Sequence, residues 1–289
     1  TGCDRHTMAD PAAYLNTAGE IPEEIWESLD ERTRETIAEG AKYIALTFDD
    51  GPRYETTSVL LDGLLERDAK ATFFVVGTQI ACTGNEDLVR RMKAEGHQVG
   101  NHTYSHVRLS TTQRDVALEE IQKNGVILET LLGEGDYWLR PPYGFLDQGV
   151  RTWSDGPIIL WSVDPEDWKD HDVERIVASV VERVEDGDVI LMHDIYQSSV
   201  EAAIRIVDAL EEKGFCFVTV EQLMARQGLT DHRDGQTVGK HVPNDGLVQL
   251  GIVVLLHSVT PLRKYTVCSS SFLAAWATCS AVTCSTAAI

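Results

Sequence analysis

Short apolar segments alternate with helical segments along residues 41–227, and this alternation constrains the fold more than any other feature of the chain. Each predicted strand is a nearly continuous hydrophobic run, as expected where both faces of a sheet are covered. Strands that alternate with helices predict an α/β fold with a parallel sheet, and this many units predict a barrel. The predicted strands are residues 43–48, 71–76, 98–101, 137–139, 158–163, 189–192 and 215–220. The predicted helices are residues 58–65, a segment capped by Asn85 and ended by Gly96, and residues 111–132, 173–184 and 200–210.

The segments on either side of this region carry different patterns. Residues 1–40 contain one acidic helix between Pro22 and Gly40, and residues 228–289 are polar and then uncharged, without periodicity. We therefore divide the chain into an N-terminal extension (1–40), a central α/β domain (41–227) and an unassigned tail (228–289). We expect the tail to be poorly ordered. Its apolar run "LGIVVLLH" falls short of the ~20 apolar residues of a membrane span.

Charge and cysteine spacing argue against two kinds of site. The formal net charge of -21 would repel nucleic acid, so we expect no nucleic-acid partner. The six cysteines include no Cys-x-x-Cys pair, which argues against a thiolate zinc site. We identify no charged-then-apolar signal segment within the given sequence, and Thr1-Gly2-Cys3 fits a truncated sequence at least as well as the remnant of a lipoprotein cleavage site.

Ionisable side chains follow five of the predicted strands, always at the same end. In a parallel barrel the catalytic groups come from the C-terminal ends of the strands. We therefore predict one shared site, to which these strands bring Asp49 and Asp50, His102, Arg140, Asp164 and His193.

The stretch "NHTYSH" carries two histidines, His102 and His106, that could bind one ion. On a helical turn, side chains four residues apart lie on one face. Two imidazoles and a carboxylate suit zinc or a similar divalent metal. One carboxylate of the Asp49-Asp50 pair would complete the set and the other would act as a base, and the spacing leaves open which is which.

Five motifs, in this order, resemble the polysaccharide deacetylases of carbohydrate esterase family four, whose shared region is the NodB-homology domain. They are "TFDDGP" at 47–52, "HTYSH" at 102–106, "RPPYG" at 140–144, "DPEDW" at 164–168 and "LMH" at 191–193. The resemblance covers residues 41–226 and implies a distorted (β/α)7-type barrel. Val107 departs from the proline that is usual after the second histidine, but it lies outside the ligand set.

The resemblance also implies a role for each matching residue. Asp49 is similar to the catalytic base, which Arg140 would hold, and His193 to the catalytic acid, with Asp164 as its partner. The implied ligands of Zn²⁺, with Co²⁺ or another divalent transition metal as an alternative, are Asp50, His102 and His106. The remaining matches imply an oxyanion donor at the backbone N–H of Tyr143, and an acetyl pocket walled by Trp168 and Leu191.

The activity that the resemblance implies is metal-dependent removal of N-acetyl groups from N-acetylglucosamine residues of a polysaccharide, with release of acetate. Peptidoglycan is the first choice, because "WSVDPEDWK", "GDVILMHDIY" and "TVEQL" look most like bacterial peptidoglycan N-acetylglucosamine deacetylases. We then expect the protein outside the cell or in the cell envelope. Alternatives are chitin oligosaccharides, poly-N-acetylglucosamine, acetylxylan or a small amide as substrate. An inactive carbohydrate-binding module on this fold would lack a ligand or the base, and the chain keeps both.

Overall fold

Parallel strands around one long central strand form the framework of the protein. The computed structural model describes residues 23–28, 40–151, 153 and 156–227, and the residue pairs 237–238, 253–254 and 266–267. The strands are β1 (Lys42–Asp49), β2 (Ala71–Val75), β3 (Gln98–Asn101), β4 (Ile158–Ile159), β5 (Val189–His193), β6 (Phe215–Phe217), β7 (Thr237–Val238), β8 (Val253–Val254) and β9 (Thr266–Val267). The helices are α1 (Glu23–Ser28), α2 (Tyr54–Leu65), α3 (Gly77–Ile80), α4 (Asn85–Ala94), α5 (Arg114–Leu132), α6 (Gln148–Arg151), α7 (Val173–Val181), α8 (Gln197–Glu211) and α9 (Val220–Arg226).

The main sheet has the order β3-β2-β1-β5, with β6 beside the start of β1, and these strands are all parallel. The ring is continued by single bridges rather than by full strands. Asn101 pairs with Leu139, Leu139 with Ile158, and Val163 with Ile190. The barrel predicted from the alternation of strands and helices is therefore present, and it is distorted on the side where these bridges replace strands.

Two predicted strands are shorter in the structure, and the structure shows a reason for the second of them. Residues 137–139 contribute only the two bridges of Leu139, and residues 158–163 form a two-residue strand and the bridge at Val163. The buried Arg140 side chain donates to the carbonyl oxygens of Ile159 and Leu160. Those carbonyls are consequently used by a guanidinium instead of by a neighbouring strand.

The core lies on both sides of the sheet, as the apolar strands predicted. β1 from Ile44 onward and the whole of β5 are buried, and helices α2 and α8 cover one face with residues such as Leu61 and Ile206. Full burial of one such side chain contributes about 1.5–3 kcal/mol. The strand ends are thereby held rigidly, which fixes the side chains that follow them.

Two element boundaries differ from the sequence prediction for reasons that the structure shows. The last strand ends at Phe217 instead of residue 220, because Thr219 caps α9 and forms a capping box with Gln222. Helix α4 has Gly84 at its N-cap, and the buried Asn85 does not cap it. Asn85 donates instead to the carbonyl oxygen of Pro52 at 2.9 Å, and so supports the turn that follows β1.

Most of the N-terminal extension and the tail lie outside the described residues, so the predicted disorder of residues 228–289 stays a prediction. In the part of the chain that the structure describes, no helix is both long and apolar enough to cross a membrane.

Candidate active site

Asp49, the last residue of β1, is held by a buried arginine. Arg140 is 0% exposed, and its Nη1 lies 2.7 Å from Asp49 Oδ1 and 2.7 Å from Thr47 Oγ1. Burial by itself lowers the pKa of Arg140, and the charge and hydrogen bond of Asp49 oppose that effect. A charge-assisted hydrogen bond at this distance fixes the position of one carboxylate oxygen of Asp49.

The main chain at Arg140 orients His102. Nδ1 of His102 lies 2.7 Å from the carbonyl oxygen of Arg140, and a carbonyl can only accept. Neutral His102 therefore carries its proton on Nδ1 and presents the lone pair of Nε2 to the mouth of the barrel. That Nε2 lies 3.4 Å from Asp50 Oδ1 and 3.6 Å from Asp49 Oδ2.

Three electron-pair donors converge at Asp50. His106 Nε2 lies 3.0 Å from Asp50 Oδ1, and the potential ligand atoms of Asp50, His102 and His106 are all within 4.8 Å of one another. Asp50 Oδ1 is buried and accepts no hydrogen bond from the residues that the structure describes. Burial alone would raise the pKa of Asp50, but hydrogen bonds and positive charge from His102 and His106 in their protonated forms outweigh it and lower that pKa below its usual range. When both imidazoles are neutral, their Nε2 lone pairs face the same carboxylate and a bound cation takes the place of the protons, so these residues form a possible metal site of two nitrogens and one oxygen.

The backbone that brings these ligands together is not the helical turn predicted for "NHTYSH". Residues 102–106 form an irregular loop, in which Thr103 (φ 65°) and His106 (φ 59°) take left-handed conformations. The rings of His102 and His106 still lie 5.0 Å apart, because the loop bends the chain back on itself. Asp50 is also left-handed, with φ of 73°. Such conformations are costly for non-glycine residues and concentrate at functional sites.

His193, the last residue of β5, is paired with Asp167 and not with Asp164. Nδ1 of His193 lies 2.9 Å from Asp167 Oδ1, and the backbone N–H of His193 donates to Asp167 Oδ2 at 2.9 Å. Burial lowers the pKa of His193, but the hydrogen bond and charge of Asp167, helped by Asp49 and Asp50, raise it to about 9. The prediction of Asp164 as the partner of His193 is therefore wrong.

The loop between the two carboxylates explains that correction. Asp164 uses Oδ1 to accept the backbone N–H of Glu166 at 2.7 Å, and Glu166 is left-handed with φ of 55°. The carboxylate of Asp164 is thus used within this local turn. Asp167, three residues later, is 0% exposed and reaches His193. Burial raises the pKa of Asp164.

The three residues proposed for substrate contact lie around the same mouth. Tyr143 is left-handed, and its ring centroid lies 4.7 Å from that of His106. Leu191 is buried in β5, two residues before His193, whereas Trp168 is half-exposed and directly follows Asp167. Gly144, the residue after Tyr143, packs against Trp161. A Cβ atom added at Gly144 would lie 2.5 Å from Trp161 Cη2, so a side chain at residue 144 would displace the loop.

Asp194 is a buried carboxylate at the site that the sequence analysis did not single out. Its Oδ2 accepts a hydrogen bond from Thr57 Oγ1, which in turn accepts from the backbone N–H of Arg53. An added Cβ at Gly51 would lie 2.2 Å from Asp194 Oδ1. Burial raises the pKa of Asp194 to about 7. The turn after Asp50 is therefore packed directly against the residue after His193.

Comparisons with known proteins agree with this geometry. The family model described as polysaccharide deacetylase matches residues 36–154. A peptidoglycan-N-acetylglucosamine deacetylase of Bacillus cereus is 38% identical over 187 residues, which cover 62% of this chain and 67% of that protein. The chain belongs to the polysaccharide deacetylase family.

Similarity extends to a polysaccharide deacetylase whose structure is solved. The peptidoglycan-N-acetylmuramic acid deacetylase PdaC of Bacillus subtilis is 42% identical over 189 residues, which cover 65% of this chain and 40% of PdaC. The solved structure of PdaC matches with a TM-score of 0.62 and 40% identity. The match covers 65% of this chain and 93% of the PdaC chain in that structure. The chain spans about two fifths of the length of the first curated relatives that it matches. The family and the distorted barrel predicted from the five motifs are confirmed.

Proposed function

We propose that this polysaccharide deacetylase removes N-acetyl groups from N-acetylglucosamine residues of peptidoglycan, releasing acetate and a free amino sugar in the cell envelope or outside the cell. The observation that carries the proposal is the convergence of three groups at one end of the barrel. The first group is the candidate metal-ligand set of Asp50, His102 and His106, and the second is Asp49 beside it. The third is His193, which ends the neighbouring strand β5 and is paired with Asp167. The names of two relatives, which act on peptidoglycan, support the choice of polymer.

The ligand set fits zinc, with cobalt as an alternative. A divalent metal bound there would polarise the acetamide carbonyl and lower the pKa of a bound water from ~15.7 toward ~7. Asp49 is the proposed base. Arg140 holds its Oδ1, and its Oδ2 lies 3.6 Å from His102 Nε2 and so faces the ligand set. A carboxylate in this position can take the proton of the attacking water.

His193 is the proposed acid. Its Nδ1 is bonded to Asp167, so Nε2 is left to donate a proton to the leaving amine. A pKa of about 9 keeps the imidazolium form at neutral pH, which is the form that the step requires. β1 and β5 pair with Asp49 opposite His193, and this register supports base and acid acting on the same bond.

The backbone N–H of Tyr143 is the proposed donor to the oxyanion, with Trp168 and Leu191 around the acetyl methyl group. One preorganised donor of this kind contributes about 3 kcal/mol to transition-state stabilisation. Its support is the left-handed conformation of Tyr143 beside the ring of His106, a metal-ligand candidate.

Acetate release tests the proposal most directly. The metal-loaded chain would be assayed on peptidoglycan, chitohexaose and acetylxylan side by side, with Asp49→Asn as the matched variant. We expect release from peptidoglycan by the parent chain, its loss with a chelator, and at least a hundredfold lower rate in Asp49→Asn. Acetate release from acetylxylan alone would show that the enzyme hydrolyses an ester and not an amide. No acetate release from any of the three polymers would contradict the proposed activity.

A further inference from the structure

An open cleft borders the proposed active site on the side of the turn that follows Asp50. Its volume is about 430 Å³, and its walls include Arg53, Tyr54, Gln79, Cys82, Thr83 and Ile195. Arg53 lies three residues after Asp50, so their Cα atoms are at most about 11 Å apart. Ile195 lies two residues after His193. The cleft is therefore formed by the same two segments that carry the metal-ligand candidate and the proposed acid.

Arg53 places a positive charge in this cleft. Its side chain is 59% exposed, and its Nη1 donates to the carbonyl oxygen of Ile195 at 3.3 Å. Nη2 makes no hydrogen bond to any residue in the described part of the chain. Glu55, which also lines the cleft, comes no closer to the guanidinium than 3.7 Å, at Nε, and is itself 76% exposed, so this contact is weak. One edge of the guanidinium is thus anchored, and the other is available to a carboxylate.

The charge of Arg53 also reaches the mouth of the barrel. Burial raises the pKa of Tyr196, the charges of Asp50 and Asp167 raise it further, and the charge of Arg53 opposes them. The ring of Tyr196 lies 6.4 Å from that of His193. The chain has a formal net charge of -21, which makes its electrostatic potential negative. Near the proposed acid, the positive charge of Arg53 reduces this negative potential.

We propose that Arg53 and this cleft bind a carboxylate that the substrate strand carries next to the reacting acetamide. The inference rests on the proposed function and specifies its substrate. In peptidoglycan, the sugars beside each N-acetylglucosamine carry lactyl ethers, which end in a carboxylate or in a peptide stem with carboxylates of its own. Chitin carries neither group. A single arginine at the rim would then select the anionic strand over the uncharged one.

The test compares kcat/KM on three substrates: glycan strands stripped of peptides, strands with their stems, and chitohexaose. We expect Arg53→Gln to lower kcat/KM about tenfold on the anionic strands, which is the effect of one solvent-accessible charge-assisted hydrogen bond. Chitohexaose should be hydrolysed at the parent rate, within about twofold. Arg53→Lys should retain part of the preference, because it keeps the charge and loses the planar fork. Added salt should weaken the preference of the parent chain and leave Arg53→Gln almost unaffected.

Arg90→Gln is the matched control, since Arg90 is a half-exposed arginine of α4 that pairs with Glu86 and Asp87 outside the cleft. A loss confined to stripped strands would assign the lactyl carboxylate, and a loss confined to stem-bearing strands would assign the peptide. An equal change on all three substrates, or no change on any, overturns the inference while leaving the deacetylase activity in place. Failure of the parent chain on every substrate removes the proposed function, and this inference with it.

Discussion

Replacement of Asp167 by asparagine should move the alkaline limb of the pH–rate profile to lower pH. Asp167 accepts from both the ring and the backbone N–H of His193, at 2.9 Å each, and it is the first of the groups that raise the pKa of His193 to about 9. Asparagine keeps the size of the side chain and removes its charge. Burial then acts on His193 without its main opponent, so the pKa of His193 should fall to its ordinary value or below.

The expected magnitude follows from the protonated fraction of His193. With a pKa of about 9, the imidazole is ~90% protonated at about pH 8, but with a pKa near 6.5 it is only ~3% protonated. The rate of a step that needs the imidazolium should thus fall about thirtyfold at that pH and recover as the pH is lowered. Acetate release measured from about pH 5 to pH 10 would show the displaced limb.

A second readout is the free energy of unfolding across the same pH range. The pKa of His193 is raised in the folded state, so folded protein binds more protons between the unfolded value of 6.5 and about 9. Its contribution to stability is complete below pH 6.5 and is lost as the pH rises to about 9. Asp167→Asn should remove this slope in urea titrations at several pH values.

Asp164→Asn is the matched control, because Asp164 bonds to the N–H of Glu166 in the same loop. We expect a smaller displacement of the limb in that variant than in Asp167→Asn, because Asp164 acts on His193 through charge without a hydrogen bond to its ring. If the limb moves in Asp164→Asn and not in Asp167→Asn, with chemistry limiting the rate, the pairing deduced from the structure is wrong. If it moves in neither variant, His193 is not the acid.

Three further changes test other parts of the site. Arg140→Met should lower the free energy of unfolding by about 3–5 kcal/mol, because it leaves the Asp49 carboxylate buried without its ion pair, and denaturant titration measures this. Asp49→Asn should keep the metal content of the parent chain by elemental analysis, whereas stoichiometric loss of metal would mean that base and ligand are exchanged. Gly51→Ala should weaken zinc affinity at least tenfold, since the new Cβ overlaps Asp194 at 2.2 Å, whereas Gly125→Ala in α5, where the nearest atom lies 3.9 Å away, should not.

The sequence was informative wherever a candidate functional residue ends a buried strand. The apolar runs before Asp49, His102 and His193 predicted both the strands and the end of the barrel at which these side chains meet. Parallel strands deliver their C-terminal residues to one edge, so local patterns were enough. The same reasoning did not predict that β4 has only two residues. The carbonyl oxygens of Ile159 and Leu160 accept hydrogen bonds from Arg140, which lies almost twenty residues earlier and is not part of the local pattern.

Loop conformation was the part that local patterns could not supply. "DPEDW" contains two carboxylates three residues apart, and either could reach a histidine at the end of a neighbouring strand. The choice depends on the left-handed Glu166 and on Arg175, which binds the carbonyl oxygens of Pro165 and Glu166 from α7. The sequence of the loop alone specifies neither of them. The helical turn predicted for His102 and His106 was wrong because a spacing of four residues does not specify a helix.

Two adjacent carboxylates can serve one site because the end of β1 separates them. Asp49 is still in the strand, so its side chain lies on the inner face and is held by the buried Arg140. Asp50 lies just after the strand and has φ of 73°. Its own side chain consequently points toward His102 and His106 at the rim. Side chains that follow one another in an extended strand point to opposite faces, and one left-handed residue is enough to bring both to the same mouth with different partners. The guanidinium of Arg140 is the partner of the first carboxylate, and the two histidines of the metal-ligand set are the partners of the second, so the two adjacent side chains can serve one site in different ways.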